Sequence, residues 1–122
     1  MRTILIVEDD QSIRGLLIAI CRRLGLATTI ASNGAEAIEI LGGSAEFCAI
    51  LLDLMMPGVD GHQVLDHVRN SPHRIPVIVA TAAVRHAKNV TFDPQIVKAV
   101  VFKPFEIEAI EDAITKTCGR GS

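Results

Sequence analysis

Aromatic residues are scarce in this chain of 122 residues, which contains four phenylalanines and neither tryptophan nor tyrosine. Because 49% of the residues are nevertheless hydrophobic, the core must be built mainly from isoleucine, valine, leucine and alanine. The length fits one domain over residues 1–122 and leaves little room for a second. We expect the tail to be frayed from about residue 118, where a glycine-bearing segment begins.

A strong excess of one charge and a long apolar run are both lacking. The formal net charge of −2 gives no case for direct nucleic-acid binding, since proteins that bind nucleic acid usually carry a basic face. No run approaches the roughly 18 apolar residues of a membrane span. Met1–Thr3 lead directly into a strand-like run, which is not the pattern of a signal peptide. We therefore expect a cytoplasmic protein without a membrane-bound segment.

Cysteine pairs at the spacing of a metal or redox motif are absent, because Cys21, Cys48 and Cys118 stand far apart. We interpret them as small buried or half-buried thiols in a reducing compartment. The four histidines lack zinc-ligand spacing with these cysteines, so no structural zinc site is expected.

What the chain does contain is an alternation of short apolar runs with amphipathic segments. The first run, Ile4–Val7, is stopped by acid, and the next segment has the apolar period of a helix as far as Leu24. Further strand-like runs cover 27–30, 49–53, 76–80 and 99–102, and helical patterns cover 35–41, 62–69 and 106–117. A short or distorted fourth helix is expected around 84–91, because its period is poor and Asp93–Pro94 follows. This alternation predicts an α/β fold with a five-stranded parallel sheet covered on both faces.

Polar residues stand just after the strands, where open parallel sheets bind their ligands. Glu8 and Asp9 follow the first strand and Asp53 ends the third, and these strands should be neighbours. Clustered carboxylates need a cation to stay ionised, and an all-oxygen ligand set favours Mg²⁺ or alternatively Mn²⁺. We expect Asp9, Asp53 and the Met55 backbone carbonyl to bind this ion together with waters, while Glu8 acts through water.

A metal ion beside a carboxylate suggests phosphoryl transfer, in which Asp53 is the nucleophile and becomes an acyl phosphate. Lys103, at the end of the fifth strand, would offset charge on the transferring oxygens. Thr81 would donate its hydroxyl to a phosphoryl oxygen, and Ala82 is small enough to let the group approach.

Four motifs, each at a strand end, together resemble the receiver domain of bacterial two-component response regulators. They are Ile4–Asp10, Leu52–Gly61, Ala80–Ala82 and Phe102–Phe105. The resemblance covers nearly the whole chain and implies a doubly wound sheet with the flavodoxin-like strand order 2-1-3-4-5. It also implies that Asp53 takes a phosphoryl group from the phosphohistidine of a sensor histidine kinase or from a phosphotransfer protein, with Mg²⁺ bound by the acidic pair.

The resemblance carries further expectations about the site and its output. Thr81 should swing toward the phosphoryl oxygen, and Lys103 should pair with it from a cis peptide bond between Lys103 and Pro104. The conformational change should alter binding to a downstream protein or to an output domain on another chain. The domain should be a monomer or a phosphorylation-promoted dimer. It should not act as an enzyme beyond its own aspartyl phosphorylation and dephosphorylation.

Two departures from the family pattern fall on the surface that the family uses for output. Val100 stands where members often carry tyrosine or phenylalanine, so the usual pairing of the threonine with an aromatic ring is in doubt. The Gly-Ala turn common before the fifth strand is also missing. We expect Val100, Val84 and Arg85 to belong to the output surface, and we expect signalling geometry to be unusual while phosphorylation chemistry is intact.

Three other functions compete with this interpretation. A phosphohydrolase with an aspartyl-phosphate intermediate would need an acid two residues after the nucleophile, where Met55 stands. A flavodoxin-like cofactor binder would need a neutral or donor-rich loop after the first strand, and the acidic loop at 8–10 would repel the flavin phosphate. The remaining alternative is a receiver-like interaction module that no longer takes phosphate, against which the complete set of site residues argues.

Overall fold

A computed structural model describes residues 2–54, 61–71, 74–81, 93–102 and 106–119. These ranges contain, in chain order, β1 (Thr3–Val7), α1 (Gln11–Arg23), β2 (Ala27–Ala31), α2 (Gly34–Leu41), β3 (Ala49–Leu52), α3 (Gly61–Arg69), β4 (Val77–Thr81), β5 (Val97–Phe102) and α4 (Ile107–Cys118). The strands pair in parallel in the order β2-β1-β3-β4-β5, which confirms the predicted sheet. The helix expected around 84–91 lies outside the described residues.

The sheet separates two aliphatic cores, because successive side chains of a strand point to opposite faces. From β1, Ile4 and Ile6 pack on the side of α1 and α4, whereas Leu5 and Val7 pack on the side of α2 and α3. All four residues of β3 are buried, which explains why this strand is an uninterrupted apolar run. A central, fully buried β3 gives the residue that follows it a rigid support.

Local capping fixes where α1 begins and ends. The Oδ1 atom of Asp10 accepts a hydrogen bond of 3.0 Å from the backbone N–H of Ile13, which satisfies one of the donors left open at a helix start. Gly25, with a φ of 81°, takes the left-handed conformation just after the helix, which favours glycine. The turn between β1 and α1 is therefore short and held at its helical side.

A disulfide between Cys48 and Cys118 ties the residue before β3 to the end of α4, with Cα atoms 5.3 Å apart. The interpretation of these two residues as thiols is wrong, because the packing of α4 on the sheet brings together residues that are 70 positions apart. Cys118 is the last residue of α4 and is buried, and residues 120–122 of the tail expected to fray lie outside the described residues. Cys21 is a free thiol in the core, and burial raises its pKa to about 12.

The first residue of α3 packs directly against the chain that leaves β3. The Gly61 N–H donates to the carbonyl of Leu54 at 3.4 Å. A Cβ atom at position 61 would lie 2.5 Å from the Cα of Leu54 and 2.8 Å from the carbonyl oxygen of Asp53. Real side chains do not approach so closely, so only glycine allows α3 to start at this point.

The disulfide predicts a definite count of reactive thiols. Iodoacetamide should label one cysteine in the unfolded, unreduced protein and all three cysteines after reduction. In the folded protein near neutral pH, Cys21 should resist labelling, because the thiolate is the nucleophile and this buried thiol has a pKa of about 12. Intact mass spectrometry counts the labels. Three labels without reductant, on protein purified in air, would contradict the disulfide.

Replacing Gly61 by alanine should lower the free energy of unfolding by about 1–3 kcal/mol, the usual cost of overpacking. The matched control is Gly15→Ala within α1, where an added Cβ meets no atom within 4 Å. That change should raise stability by about 0.5–1 kcal/mol, since glycine is the poorer residue in a helix interior. Urea unfolding of the three proteins measures both effects. Equal stability of Gly61→Ala and the parent would show that the close contact has no energetic weight.

Candidate functional site

The ends of β1 and β3 place two acidic residues side by side. Val7 is opposite Leu52 in the parallel register, so the residues that follow, Glu8 and Asp53, leave the sheet at the same level. The Asp53 N–H donates to the carbonyl of Val7 at 3.0 Å. This bond extends the ladder by one residue and fixes the backbone that carries the Asp53 side chain.

β2, which pairs with β1 on the side away from β3, holds the start of the acidic loop. The Glu8 N–H donates to the carbonyl of Ala31, the last residue of β2, at 3.1 Å. Because β1 lies between β2 and β3, the backbone around Val7 and Glu8 is bonded on both sides. The acidic loop therefore begins from a fixed point.

Carboxylate oxygens of Glu8, Asp9 and Asp53 lie within 4.8 Å of one another. Glu8 is 1% exposed and Asp53 is 5% exposed, whereas Asp9 is exposed. Like charges at this separation repel, and burial of two of them limits screening by water. An all-oxygen donor set with one solvent-facing carboxylate suits Mg²⁺ or Mn²⁺, which bind a few protein oxygens and keep waters. The three carboxylates therefore fit a divalent cation.

Sequence reasoning missed two residues that contact this loop and strand end. Gly61 allows α3 to approach the backbone of Asp53 and Leu54, as described above. Arg14, in α1, donates from Nη1 to the carbonyl oxygens of both Glu8 and Asp9 at 3.2 Å. The available signal for Arg14 was its place one turn into a helix that starts directly after three acids, which aims a long side chain back at them.

Of the other residues predicted for the site and the output surface, some are described by the structure and some lie outside the described residues. Thr81 is the last residue of β4 and pairs with Phe102 of β5, so its backbone lies at the end of its strand. Val100 is partly buried and packs against the core on the side of α2 and α3. Phe102, the last residue of β5, is 39% exposed. The following predictions lie outside the described residues: Met55, Ala82, Val84, Arg85, Lys103 and Pro104.

Comparison with known proteins identifies the family. The model of the response regulator receiver domain matches residues 4–115. Regulator of RpoS from Escherichia coli strain K12 is 41% identical over 81 residues, which are 66% of this chain and 24% of that protein. The chain thus spans about a quarter of the length of this curated relative. None of the helices in the described ranges combines the length and the apolar character that a membrane-spanning helix needs.

Solved receiver structures align with nearly all of the chain. The receiver domain of sensor histidine kinase PA1611 from Pseudomonas aeruginosa PAO1, with a magnesium ion coordinated in its active-site cleft, is 25% identical. The TM-score is 0.84, and the alignment covers 97% of this chain and 98% of that one. Response regulator TrrA from Thermotoga maritima, in complex with Mg(2+)-BeF, is 26% identical with a TM-score of 0.82, covering 96% and 99%. Since the family match extends over most of the sequence, this chain belongs to the response regulator receiver domains of two-component signalling.

Proposed function

We propose that this domain is a phosphorylation-dependent switch in which Asp53 accepts a phosphoryl group from a phosphohistidine. The observation that carries the proposal is the position of Asp53. Its carboxylate is nearly buried at the end of a central strand, and one of its oxygens lies within 4.8 Å of one oxygen each of Glu8 and Asp9. A merely structural carboxylate gains nothing from two further acids at this distance, whereas a metal-assisted acceptor requires them.

In the proposed transfer, a carboxylate oxygen of Asp53 attacks phosphorus and forms the P–O bond of an acyl phosphate. The P–N bond of the phosphohistidine breaks, and its electron pair stays on the imidazole nitrogen. Glu8 and Asp9 would hold Mg²⁺, which when bound offsets negative charge on the transferring oxygens. The hydrogen bond from Asp53 N–H to Val7 keeps the nucleophile in place during the attack.

Relatives with a metal ion at this site support the cofactor assignment. The receiver domain of PA1611 has magnesium in its active-site cleft, and TrrA was solved in complex with Mg(2+)-BeF. The carboxylates of Glu8, Asp9 and Asp53 supply oxygen donors, the class that Mg²⁺ prefers. We extend the proposed site to the Met55 carbonyl as a metal ligand and to Thr81, Ala82 and Lys103 as the groups around the phosphoryl oxygens.

The proposed partners follow from the chemistry of the acceptor. A sensor histidine kinase or a phosphotransfer protein would supply the phosphoryl group, and a downstream protein or an output domain on another chain would read the change. The chain would catalyse only its own phosphorylation and dephosphorylation, in the cytoplasm, as a monomer or a phosphorylation-promoted dimer. Because Val100 is a small side chain packed toward the core, output would depend on the segments around Val84 and Arg85.

Acetyl phosphate with Mg²⁺ should add the mass of one phosphoryl group to the protein, because a small acyl phosphate can replace the phosphohistidine donor. Asp53→Asn should show no gain, since the amide is not a nucleophile for this transfer. Intact mass spectrometry at several times after mixing measures the fraction modified. No gain in the parent, or an equal gain in Asp53→Asn, would exclude Asp53 as acceptor and favour a module that no longer takes phosphate.

Replacing Asp9 by asparagine should weaken Mg²⁺ binding about tenfold or more, because the change removes a charged ligand and a tenfold loss corresponds to about 1.4 kcal/mol. Isothermal titration calorimetry suits a protein that has no tryptophan. The matched control is Asp10→Asn, which removes the neighbouring charge but keeps a side chain able to cap α1. Equal weakening in both variants would mean that Asp9 acts through net charge rather than as a ligand.

A further inference from the structure

Arg14 reaches back from α1 to the backbone of the acidic loop. Its Nη1 atom donates to the carbonyl oxygens of Glu8 and of Asp9, each at 3.2 Å. The geometry follows from the helix, since side chains in an α-helix lean toward its N-terminus and α1 starts at Gln11. The Arg14 N–H also donates to the carbonyl of Asp10 at 2.9 Å, so the side chain extends from an ordered turn.

The choice of acceptors is informative, because arginine beside acids ordinarily pairs with a carboxylate in a bidentate contact. Arg23 and Arg69 each pair with a carboxylate through one Nη2 atom, Arg23 with Glu111 at 2.7 Å and Arg69 with Asp66 at 2.6 Å. In the described part of the chain, Arg14 forms no ion pair and bonds instead to carbonyl oxygens of the residues that carry the acids. Its donors therefore do not compete with a cation for the carboxylate of Asp9.

One nitrogen that bonds two consecutive carbonyl oxygens fixes two consecutive peptide planes. The Glu8 N–H bond to Ala31 already fixes the start of the loop, and Asp10 is fixed by its capping bond to α1. Arg14 spans the interval between these two points. A site that binds metal must hold its ligands within roughly 0.5 Å of the productive position, which a loop reaches only if its backbone is held.

We infer that Arg14 is a positioning residue, which holds the backbone of Glu8 and Asp9 so that their carboxylates converge with that of Asp53 on the metal. This inference rests on the proposed function, because it concerns the same metal site. Through its position, Arg14 would raise the affinity of the site for Mg²⁺, although its positive charge by itself would lower that affinity.

If Arg14 acts only through its charge, replacing it should change Mg²⁺ affinity in one direction, and if it acts through its position, in the opposite direction. A guanidinium close to the site repels Mg²⁺, so if Arg14 acted only by charge, Arg14→Met would raise Mg²⁺ affinity. If Arg14 acts by position, the same change releases the loop and lowers affinity. Outer-sphere partners of metal sites typically contribute about 10–100-fold in affinity, so we expect Arg14→Met to weaken Mg²⁺ binding roughly tenfold.

The experiment compares Mg²⁺ affinity by calorimetry in the parent, Arg14→Met, Arg14→Lys and Arg22→Met. Arg22→Met is the matched control, because it removes one positive charge from the exposed far end of the same helix and should leave affinity unchanged. Arg14→Lys should recover part of the loss, since its ammonium can also donate to carbonyl oxygens. Urea unfolding of each variant shows whether its folded state is intact.

A second measurement separates this inference from the proposed function. Amide hydrogen exchange without metal should be faster at Glu8 and at the two residues after it in Arg14→Met, and unchanged in Arg22→Met. If the parent protein bound no Mg²⁺, the proposed metal site would be wrong, and so would the metal-binding part of this inference. If the parent binds Mg²⁺ and Arg14→Met binds it equally or more tightly, the inference is overturned while the proposed function stands.

Discussion

The register between β1 and β3 determines where the acidic side chains of the site lie. Val7 opposite Leu52 brings Glu8 and Asp53 to one level at the sheet edge. A slip of one residue would turn every side chain of a strand to the other face, burying polar groups and separating the carboxylates. The register is fixed in turn by aliphatic side chains that alternate between the two cores. The packing that stabilises the fold is therefore the packing that assembles the acidic cluster.

This arrangement carries an electrostatic cost. Two nearly buried carboxylates and a third at the surface repel one another, and the folded state must hold them together. A cation that binds only the folded state would stabilise it, by an amount that grows with the logarithm of the cation concentration above the Kd. The proposed chemistry uses the same feature. The clustered carboxylates attract the metal ion, and the bound ion would then offset the negative charge of an incoming phosphoryl group.

The sequence predicted the parallel sheet and the acids at its edge because these depend on local signals, whereas the strand order was implied by the resemblance to receiver domains. Continuous apolar runs mark buried parallel strands, and the acids that stop them mark the edge where the strands end. It did not predict the Cys48–Cys118 bond, which depends on how α4 packs on the sheet. Nor did it predict the exposure of Phe102, because hydrophobicity alone does not show which face of an edge strand is covered. Gly61 and Arg14 act on backbone atoms, and contacts of this kind leave no periodic pattern.

The disulfide also separates the chain into a covalently closed ring and a linear segment before it. It closes a ring from Cys48 to Cys118 that contains Asp53 and Thr81, whereas Glu8, Asp9 and the whole of α1 lie on the linear segment before it. Asp53 and its acidic neighbours thus belong to covalently distinct parts of the chain, which are joined by the pairing of β1 with β3 and by the packing of α1 on α4 and of α2 on α3. One backbone cut inside the ring would release no fragment until the disulfide was reduced, whereas a cut before Cys48 would leave the acidic segment held by non-covalent contacts alone.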